Sequence, residues 1–377
     1  MNKIDRSKDV MTHADDLEFL HSFKNVPVFM GCVDQESDQD IFSDADWYIS
    51  RGSGILQLNP LLPQELVYQS AHNPGVVGSG WIKHHEEFAK FICRYSPNKV
   101  YEIGGSHGIL SEKCDAMRSI DWTIIEPNPV PVQGLKAKMI RGFFDADTPI
   151  PDDIDMLVHS HVLEHVYQPV EFFLALQRLR ENTMMCFSVP ALRRHLEQKF
   201  SSILHFEHTY FCSEEFIEYC LKKYGFELLE KREYSNDHSI FYAARKVSST
   251  DADPAIVNHY SDNRRLFLEF VQYHEQLIQD LNEFLSSTQD KVYVFGAHYF
   301  TQILVSLGLH TEKILGILDN DKSKQGLRLY GTNLEVLDPG ILKDQRGVTV
   351  ILKCGVHNPE IKRGIQDNIN SQVSYIE

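Results

Sequence analysis

The sequence predicts an α/β protein with two separate parallel sheets behind a small irregular N-terminal region. Strand-like and helix-like segments alternate over residues 86–247, and a second alternation follows residue 255. In each stretch, one strand runs directly into a glycine turn and a helix. At about 150 residues per domain, 377 residues accommodate two to three domains. The predicted domains are therefore 1–85, 86–250 and 255–377.

The composition is that of a soluble globular chain with a strong acidic excess. Lys and Arg number 37 against 53 Asp and Glu, which gives a net charge of -16 and disfavours nucleic acid or an anionic membrane as a partner. The apolar runs have strand length, and the polar N-terminus lacks the apolar segment of a signal peptide, so we expect a cytoplasmic protein. The seven cysteines form no C-x-x-C pair, so we expect neither a disulfide framework nor a zinc knuckle.

Periodic apolar residues define the elements of the central unit. A helix is predicted over His85–Tyr95, because Phe88, Phe91 and Ile92 lie on one side, and another over Val170–Arg180. Buried strands are predicted at Lys99–Ile103, Trp122–Glu126, Met156–His159 and Met184–Val189. The N-terminal region shows only short strand-like runs at Val26–Met30 and Ile55–Leu58.

A Ser-, Asp- and Pro-rich stretch, Val247–Ala255, is predicted to be a linker to the C-terminal unit. A long helix is predicted over Arg264–Leu285, and a shorter one over Thr301–Leu307. Strands are predicted in KVYVFGAH, in KILGILDND and at Val348–Lys353. This pattern predicts a second α/β unit.

The segment VYEIGGSHGILSEKC contains the clearest ligand-binding signal. A buried strand ends at Ile103, Gly104, Gly105 and Gly108 follow, and a helix begins near Ile109. Glycine lets the backbone turn sharply and approach a ligand closely, and the following helix N-terminus offers free N–H groups. The glycines alone are also compatible with a dinucleotide.

Acidic residues at successive strand ends narrow the choice of ligand. Glu102 would repel a pyrophosphate and suits a cation such as the ammonium of a methionyl group. Glu126 is placed to accept hydrogen bonds from both hydroxyls of an adenosine ribose. Asp145, expected at the end of a third strand, is placed to accept from an adenine amino group. An ordinary α/β turn with solvated acids is the alternative.

A histidine–acid cluster follows the predicted fifth strand. His205, Glu207, His208 and Tyr210 lie within six residues and should lie over the ligand site. His208 is a candidate general base, because such a base needs a pKa near working pH and reach to the proton. A metal site or a structural cluster remains open; a metal is the weaker alternative, since no second carboxylate is suitably spaced.

The three acids in this order resemble the class I S-adenosylmethionine-dependent methyltransferases. The segment DMLVHSHVLEHVYQP, with Leu163, Glu164, His165, Val166 and Pro169, is similar to a motif of that superfamily. The resemblance implies a Rossmann-like central domain and S-adenosyl-L-methionine as cofactor. The implied cofactor-binding residues are Glu102, Gly104, Gly105, Gly108, Glu126, Phe144, Asp145 and His161. His165 is implied at the substrate, although His161 and His165 may instead only bond the backbone.

The run His205-Phe206-Glu207-His208-Thr209-Tyr210 is similar to a motif of sugar C-methyltransferases, which act on nucleotide-linked 4-keto-deoxysugars. The resemblance implies that His208 abstracts the proton alpha to the keto group, with Glu207 and His205 assisting. Tyr210 is implied to contact the substrate. His205 replaces a Tyr of the family motif, and Phe206 replaces its first His.

The resemblance extends to both ends of the chain. The family carries an N-terminal zinc domain with two C-x-x-C pairs, but Ser50 and Ser53 occupy the second pair, so we expect no metal there. The C-terminal unit resembles the family's second Rossmann-like domain, which helps to hold the nucleotide sugar. The implied substrate-binding residues in it are Gly296, His298 and Lys324.

The favoured hypothesis is C-methylation of a nucleotide-linked keto-deoxysugar, so the expected partner is a small molecule. O-methylation of a related sugar or another small molecule, and a catalytically inactive cofactor-binding homologue, remain open. An NAD-dependent oxidoreductase is disfavoured, because GAHYFT lacks the full G-x-G-x-x-G. Monomer and homodimer are both compatible with the sequence.

Overall fold

The computed structural model describes residues 2–68, 79–203, 205–235, 238–248 and 254–377. Its N-terminal elements are β1 (Leu17–Pro27), β2 (Cys32–Val33), β3 (Phe42–Ser50), β4 (Leu56–Leu58) and α1 (Gln64–Val67). Strands β1, β3 and β4 form an antiparallel sheet in that order. The expectation of an irregular region was therefore wrong. Alternate residues of β3 point inward, namely Ser43, Ala45, Trp47 and Ile49. Because Ser43 and Ala45 are small and Ser43 is polar, the alternation of apolar and polar residues that marks a strand is not visible in the sequence.

A seven-stranded sheet forms the central unit. Its helices are α2 (Ser79–Cys93), α3 (Ile109–Asp115), α4 (Pro169–Leu176), α5 (Leu192–Glu197) and α6 (Glu214–Lys223). Its strands are β5 (Lys99–Ile103), β6 (Asp121–Glu126), β7 (Lys138–Arg141), β8 (Met156–Ser160), β9 (Met184–Pro190), β10 (Phe226–Tyr234) and β11 (Ser239–Lys246). The order is β7-β6-β5-β8-β9-β11-β10, and β11 runs antiparallel to both of its neighbours. This is the Rossmann-like methyltransferase fold that the sequence predicted.

Apolar residues cover both faces of this sheet, as a parallel sheet requires. Val100 and Val158 pack on one face beneath Phe88 of α2, while Tyr101 and Leu157 pack on the other. The second face shares one continuous core with the N-terminal sheet, including Trp47. The predicted domain boundary at residue 85 lies inside α2, so the first seven residues of that helix belong with the central unit.

The C-terminal unit begins with α7 (Tyr260–Ser287), a helix of 28 residues. Its other elements are β12 (Lys291–Phe295), α8 (Tyr299–Ser306), β13 (Ile314–Leu318), β14 (Arg328–Leu329), β15 (Val336–Leu337), β16 (Val348–Leu352), α9 (Asn358–Asn368) and β17 (Ser374–Ile376). Strands β15-β13-β12-β16-β17 form a fully parallel sheet. The second α/β unit therefore has the predicted architecture. Residues 249–253 of the predicted linker lie outside the described residues.

The N-terminal region and the C-terminal unit are joined by a short antiparallel strand pair, in which β2 pairs with β14. Next to it, the carboxylate of Asp40 accepts hydrogen bonds from both terminal nitrogens of Arg328, at 2.6 and 2.9 Å, and from Gly331 N at 2.7 Å. The Asp40 side chain is only 1% exposed, so this ion pair is largely shielded from water. Among the described residues, no helix is both long and apolar enough to cross a membrane.

Candidate active site

The glycine turn after β5 lies at the carboxyl edge of the central sheet. Gly104 and Gly108 have φ of +72° and +78°, a region that residues with a Cβ rarely adopt. A Cβ on Gly104 would lie 2.6 Å from Val162 Cγ2. A Cβ on Gly105 would lie 2.6 Å from Ile124 Cγ2 and 2.9 Å from the carboxyl carbon of Glu102. The turn is therefore packed too closely for any larger residue.

Glu102 lies beneath this turn and does not face solvent. Glu102 is only 2% exposed, and its carboxylate accepts a hydrogen bond of 2.8 Å from Trp122 Nε1. Burial raises the pKa of Glu102 to about 8. Contact between this carboxyl and a methionyl ammonium stays a prediction, since the described loop covers the group.

Glu126 at the end of β6 holds the turn from the neighbouring strand. Its carboxylate accepts from Ser106 N at 2.9 Å and from Asn128 N at 3.0 Å. Each oxygen has a second lone pair, so the group retains capacity to accept from a ribose hydroxyl. The side chain of Asn128 donates to the carbonyl of Tyr68 at 3.0 Å, which joins this edge to the N-terminal region.

Asp145 does not stand at a strand end, contrary to the prediction. Strand β7 ends at Arg141, and Asp145 lies in an exposed turn that its own carboxylate closes by accepting from Asp147 N and from Thr148. The hydrogen bond from Thr148 lowers the pKa of Asp145. Phe144 beside it is half-buried and packs edge-on against Phe172, at 5.5 Å between ring centroids.

The predicted histidine–acid run folds onto the segment that follows β8. Thr209 N donates to the carbonyl of Glu164 at 3.1 Å, and the Tyr210 hydroxyl donates to the carbonyl of Leu163 at 2.7 Å. Tyr210 is fully buried, so the expectation that it binds substrate was wrong. A buried hydroxyl needs a hydrogen-bond partner inside the protein, and this bond to Leu163 holds the histidine–acid run in place.

His165 is the centre of the resulting cluster. Its Nδ1 lies 3.2 Å from the Tyr68 hydroxyl and 3.5 Å from Glu207 Oε2, while its Nε2 lies 3.7 Å from Glu164 Oε1. The His208 ring lies 5.2 Å from the His165 ring, measured between centroids. The structure therefore brings together His165, Glu207 and His208, which the sequence predicted as site residues.

His208 is buried, and its Nδ1 forms no hydrogen bond within the described residues. The ring of His205 packs against it at 3.8 Å between centroids. Burial, followed by the charge of neighbouring imidazoles, lowers the pKa of His208 well below its ordinary value. The ring is therefore neutral at pH 7 and can accept a proton.

Glu164 supplies the second carboxylate that the sequence spacing failed to reveal. It is fully buried, and burial raises its pKa to about 7. Three potential ligand atoms lie within 4.8 Å of one another here, one each from Glu164, His165 and His208. A second carboxylate is therefore present beside His208 after all, because Glu164 is distant in sequence but adjacent in space, and a metal remains an alternative for this cluster.

His161 lies in a second histidine cluster. Its neighbours are His84 of α2 and His238, which precedes β11, and the Trp81 ring packs 4.8 Å from both His161 and His238. Burial lowers the pKa of His161 to about 3. His84, His238 and Trp81 were not predicted, since nothing in their local sequence marks them as neighbours.

The C-terminal unit reaches the first cluster through α8. The Tyr299 ring at the start of that helix lies 5.3 Å from the His205 ring and 4.5 Å from the ring of His298. Lys324 is ion-paired with Asp319 at 3.2 Å, and Asp319 also accepts from Ala297 N at 2.8 Å. The lysine charge is thus already compensated in this structure.

The backbone at Gly296 requires glycine whether or not a ligand binds there. Its φ is +102°, and a Cβ there would lie 2.8 Å from Cys354 Sγ. The turn after β12 therefore requires glycine for its conformation and its packing. Its predicted role in substrate binding stays a prediction.

Residues 81–231 match the family described as "Methyltransferase domain". Solved structures also resemble the chain. Human N-acetylserotonin methyltransferase in complex with SAM shares 12% identity, with 49% of this chain and 59% of that chain covered and a TM-score of 0.41. A SAM-dependent methyltransferase from Aquifex aeolicus shares 14% identity over 47% of this chain and 100% of that chain, with a TM-score of 0.35. A comparison with curated proteins gave no match.

The structural likenesses add nothing to the functional argument, because their TM-scores are below 0.5. The class follows from the family match, together with the strand order and the glycine turn at the carboxyl edge of the sheet. The chain thus carries a methyltransferase domain over residues 81–231.

Proposed function

We propose that this methyltransferase acts on carbon in a nucleotide-linked keto-deoxysugar, with His208 as the general base. The observation that carries the proposal is the buried His208 ring, whose Nδ1 has no hydrogen-bond partner within the described residues. A neutral imidazole with an unused nitrogen can take up a proton, although burial makes this ring a weaker base than an exposed histidine. The resemblance of its sequence run to sugar C-methyltransferases supports the choice of substrate class.

The residues at the sheet edge fit S-adenosylmethionine, which supplies an electrophilic methyl group when bound. We assign the methionyl end to the turn at Gly104, Gly105 and Gly108, which follows β5 at the carboxyl edge of the central sheet. We assign the ribose to Glu126, whose oxygens each keep one accepting position, and the adenine to Phe144 and the neighbouring turn.

The proposed acid–base step belongs to the first histidine cluster. His208 takes the proton from the carbon alpha to the keto group, and the electron pair of that C–H bond makes the carbon nucleophilic. His165, held by the Tyr68 hydroxyl and by Glu207, packs against His208 and fixes its position. His205 packs against the His208 ring, at 3.8 Å between centroids.

We assign the nucleotide part of the substrate to the C-terminal unit. Tyr299 and His298 bring the start of α8 to the His205 ring, so one ligand can contact both units. A diphosphate would have to compete with Asp319 for Lys324, because the two side chains are paired at 3.2 Å.

Exchange of a substrate proton with solvent deuterium tests the base directly. The wild-type enzyme, S-adenosylhomocysteine and a nucleotide-linked 4-keto-deoxysugar are incubated in D2O, and NMR follows the proton alpha to the keto group. We expect enzyme-dependent exchange that falls by about 10²–10⁴-fold in His208→Asn. His274→Asn is the matched control, because His274 is also buried but bonds only the carbonyl of Phe270 among the contacts described.

The other candidates predict different outcomes of this experiment and of a parallel incubation with S-adenosylmethionine, in which a methyl group can be transferred. Methylation without exchange would indicate transfer to oxygen and would refute the proposed role of His208. Cofactor binding with neither exchange nor methylation of any keto-sugar nucleotide would indicate an inactive homologue. Equal exchange by His208→Asn and His274→Asn would also contradict the proposal.

A further inference from the structure

A cluster of three histidines lies at the carboxyl edge of the central sheet. His84 comes from α2, His161 directly follows β8, and His238 directly precedes β11. One ring nitrogen from each lies within 4.8 Å of the other two. Three separate elements therefore converge their imidazoles on one point.

His84 is the first sign that something is bound at this point. The residue is 0% exposed, and neither ring nitrogen forms a hydrogen bond within the described residues. A buried polar group without a partner costs about 1–3 kcal/mol. A ligand between the three rings would give a partner to a His84 ring nitrogen that has none among the described residues.

The surroundings of His161 orient its ring. Its Nδ1 lies 3.4 Å from the buried Glu164 carboxylate, while its Nε2 lies 2.9 Å from the Ser239 hydroxyl. The same hydroxyl lies 2.6 Å from His238 Nδ1. Histidines that bind metals usually donate their other ring N–H to a carboxylate, which fixes the tautomer. Glu164 lies near enough to His161 to take up that relation, but it forms no hydrogen bond to the ring in this structure, and a metal on Nε2 would have to displace the Ser239 hydroxyl.

Aromatic rings flank the cluster, of which His84 is buried and His161 and His238 are partly exposed. Trp81 lies 5.2 Å from the His84 ring, and Phe241 lies 5.3 Å from it on another side. Burial lowers the pKa of His84 well below its ordinary value and that of His238 to about 3. The imidazoles are therefore neutral, which is the form that binds a metal.

We propose that His84, His161 and His238 bind one zinc ion or a similar divalent transition ion. Three nitrogen ligands with a fourth position left for water are typical of zinc sites. Tetrahedral Zn–N bonds of about 2.0–2.1 Å require nitrogens about 3.4 Å apart, and because the three nitrogens lie within 4.8 Å of one another, the rings need to close by no more than about 1.4 Å. This site is independent of the proposed sugar substrate and of the base His208.

The ion would join α2 to the ends of β8 and β11. These elements flank the segment that carries Glu164 and His165, so the metal would fix one wall of the candidate active site. Bound metal should therefore raise the melting temperature of the protein, since it binds only the folded state.

Metal titration of the full chain, purified without a histidine tag and stripped with chelator, tests the proposal. We expect one equivalent of Co2+ to give the absorption bands of a tetrahedral nitrogen site and to quench Trp81, and Zn2+ to displace it. A wild-type protein that binds no Co2+ with these bands would overturn the proposal. This readout needs no variant and no methyl transfer.

Variants identify the ligands. His84→Phe and His238→Phe, which retain an aromatic ring in the apolar surroundings, should weaken Zn2+ binding by at least about 100-fold, and Glu164→Gln by about 10-fold. His274→Phe is the control for loss of a buried histidine elsewhere. Equal Zn2+ affinity in the folded His84→Phe, His238→Phe and His274→Phe variants would show that the three rings only stack.

Discussion

Replacing the buried Glu102 by glutamine should make the stability of this protein less dependent on pH. Glu102 lies under the glycine turn, 2% exposed, with Trp122 Nε1 as a hydrogen-bond donor. Glutamine keeps the shape of the side chain and an oxygen that can accept this bond, but it cannot ionise. The substitution therefore isolates the cost of charging a carboxyl group in this position.

The magnitude follows from the difference between the folded and unfolded pKa of Glu102. Burial raises the folded pKa to about 8, whereas the ordinary value is 4.5. Between these pH values the unfolded chain releases a proton that the folded chain retains, so stability falls as pH rises. Each pH unit in this window costs about 1.4 kcal/mol, which amounts to about 3 kcal/mol between pH 5.5 and 7.5.

Urea unfolding of the wild type and of Glu102→Gln at pH 5.5 and 7.5 measures this effect. The variant should gain about 3 kcal/mol relative to the wild type at the higher pH. Glu112→Gln, at an exposed position, is the matched control and should show no such gain. A difference between wild type and Glu102→Gln that is the same at both pH values would refute the reasoning.

Three further substitutions test a close packing contact, a buried hydrogen bond and a shielded ion pair. Gly105→Ala should destabilise the protein by about 1–3 kcal/mol and weaken S-adenosylhomocysteine binding in calorimetry, because its Cβ would lie 2.6 Å from a β6 side chain. Gly364→Ala, in open space on α9, should leave binding unchanged. Tyr210→Phe should cost about 1 kcal/mol in urea unfolding without changing KM, since its hydroxyl donates to the buried carbonyl of Leu163. Asp40→Asn should cost about 3 kcal/mol because it leaves Arg328 without its charged partner, and a smaller loss would contradict this assignment.

The sequence predicted the inner strands of the central sheet accurately. Lys99–Ile103 was predicted to the residue, because a parallel strand covered on both faces appears as a short apolar run. Strand β7 escaped prediction, since it is four residues long at the sheet edge and mostly exposed. Its end at Arg141 is the reason that Asp145 was misplaced.

The candidate site was predicted only where its residues are close in sequence. The run from His205 to His208 was identified because its members are neighbours along the chain. The contribution of Glu164 and the meeting of His84 with His238 depend on the order of strands β8, β9 and β11, which no local pattern encodes. Tyr210 was misassigned because a tyrosine in a motif does not reveal whether its hydroxyl faces a ligand or the backbone.

Calorimetric titration with S-adenosylhomocysteine tests the central claim most directly. We expect the wild type to bind one equivalent, and Glu126→Ala to bind at least about 100-fold more weakly, since hydrogen bonds to a charged group are worth about 1.5–3 kcal/mol each. Glu112→Ala, on an exposed position of α3, should bind like the wild type. A wild type that binds no S-adenosylhomocysteine, or a Glu126→Ala variant that binds it equally well, would contradict the proposed cofactor site at the end of β6.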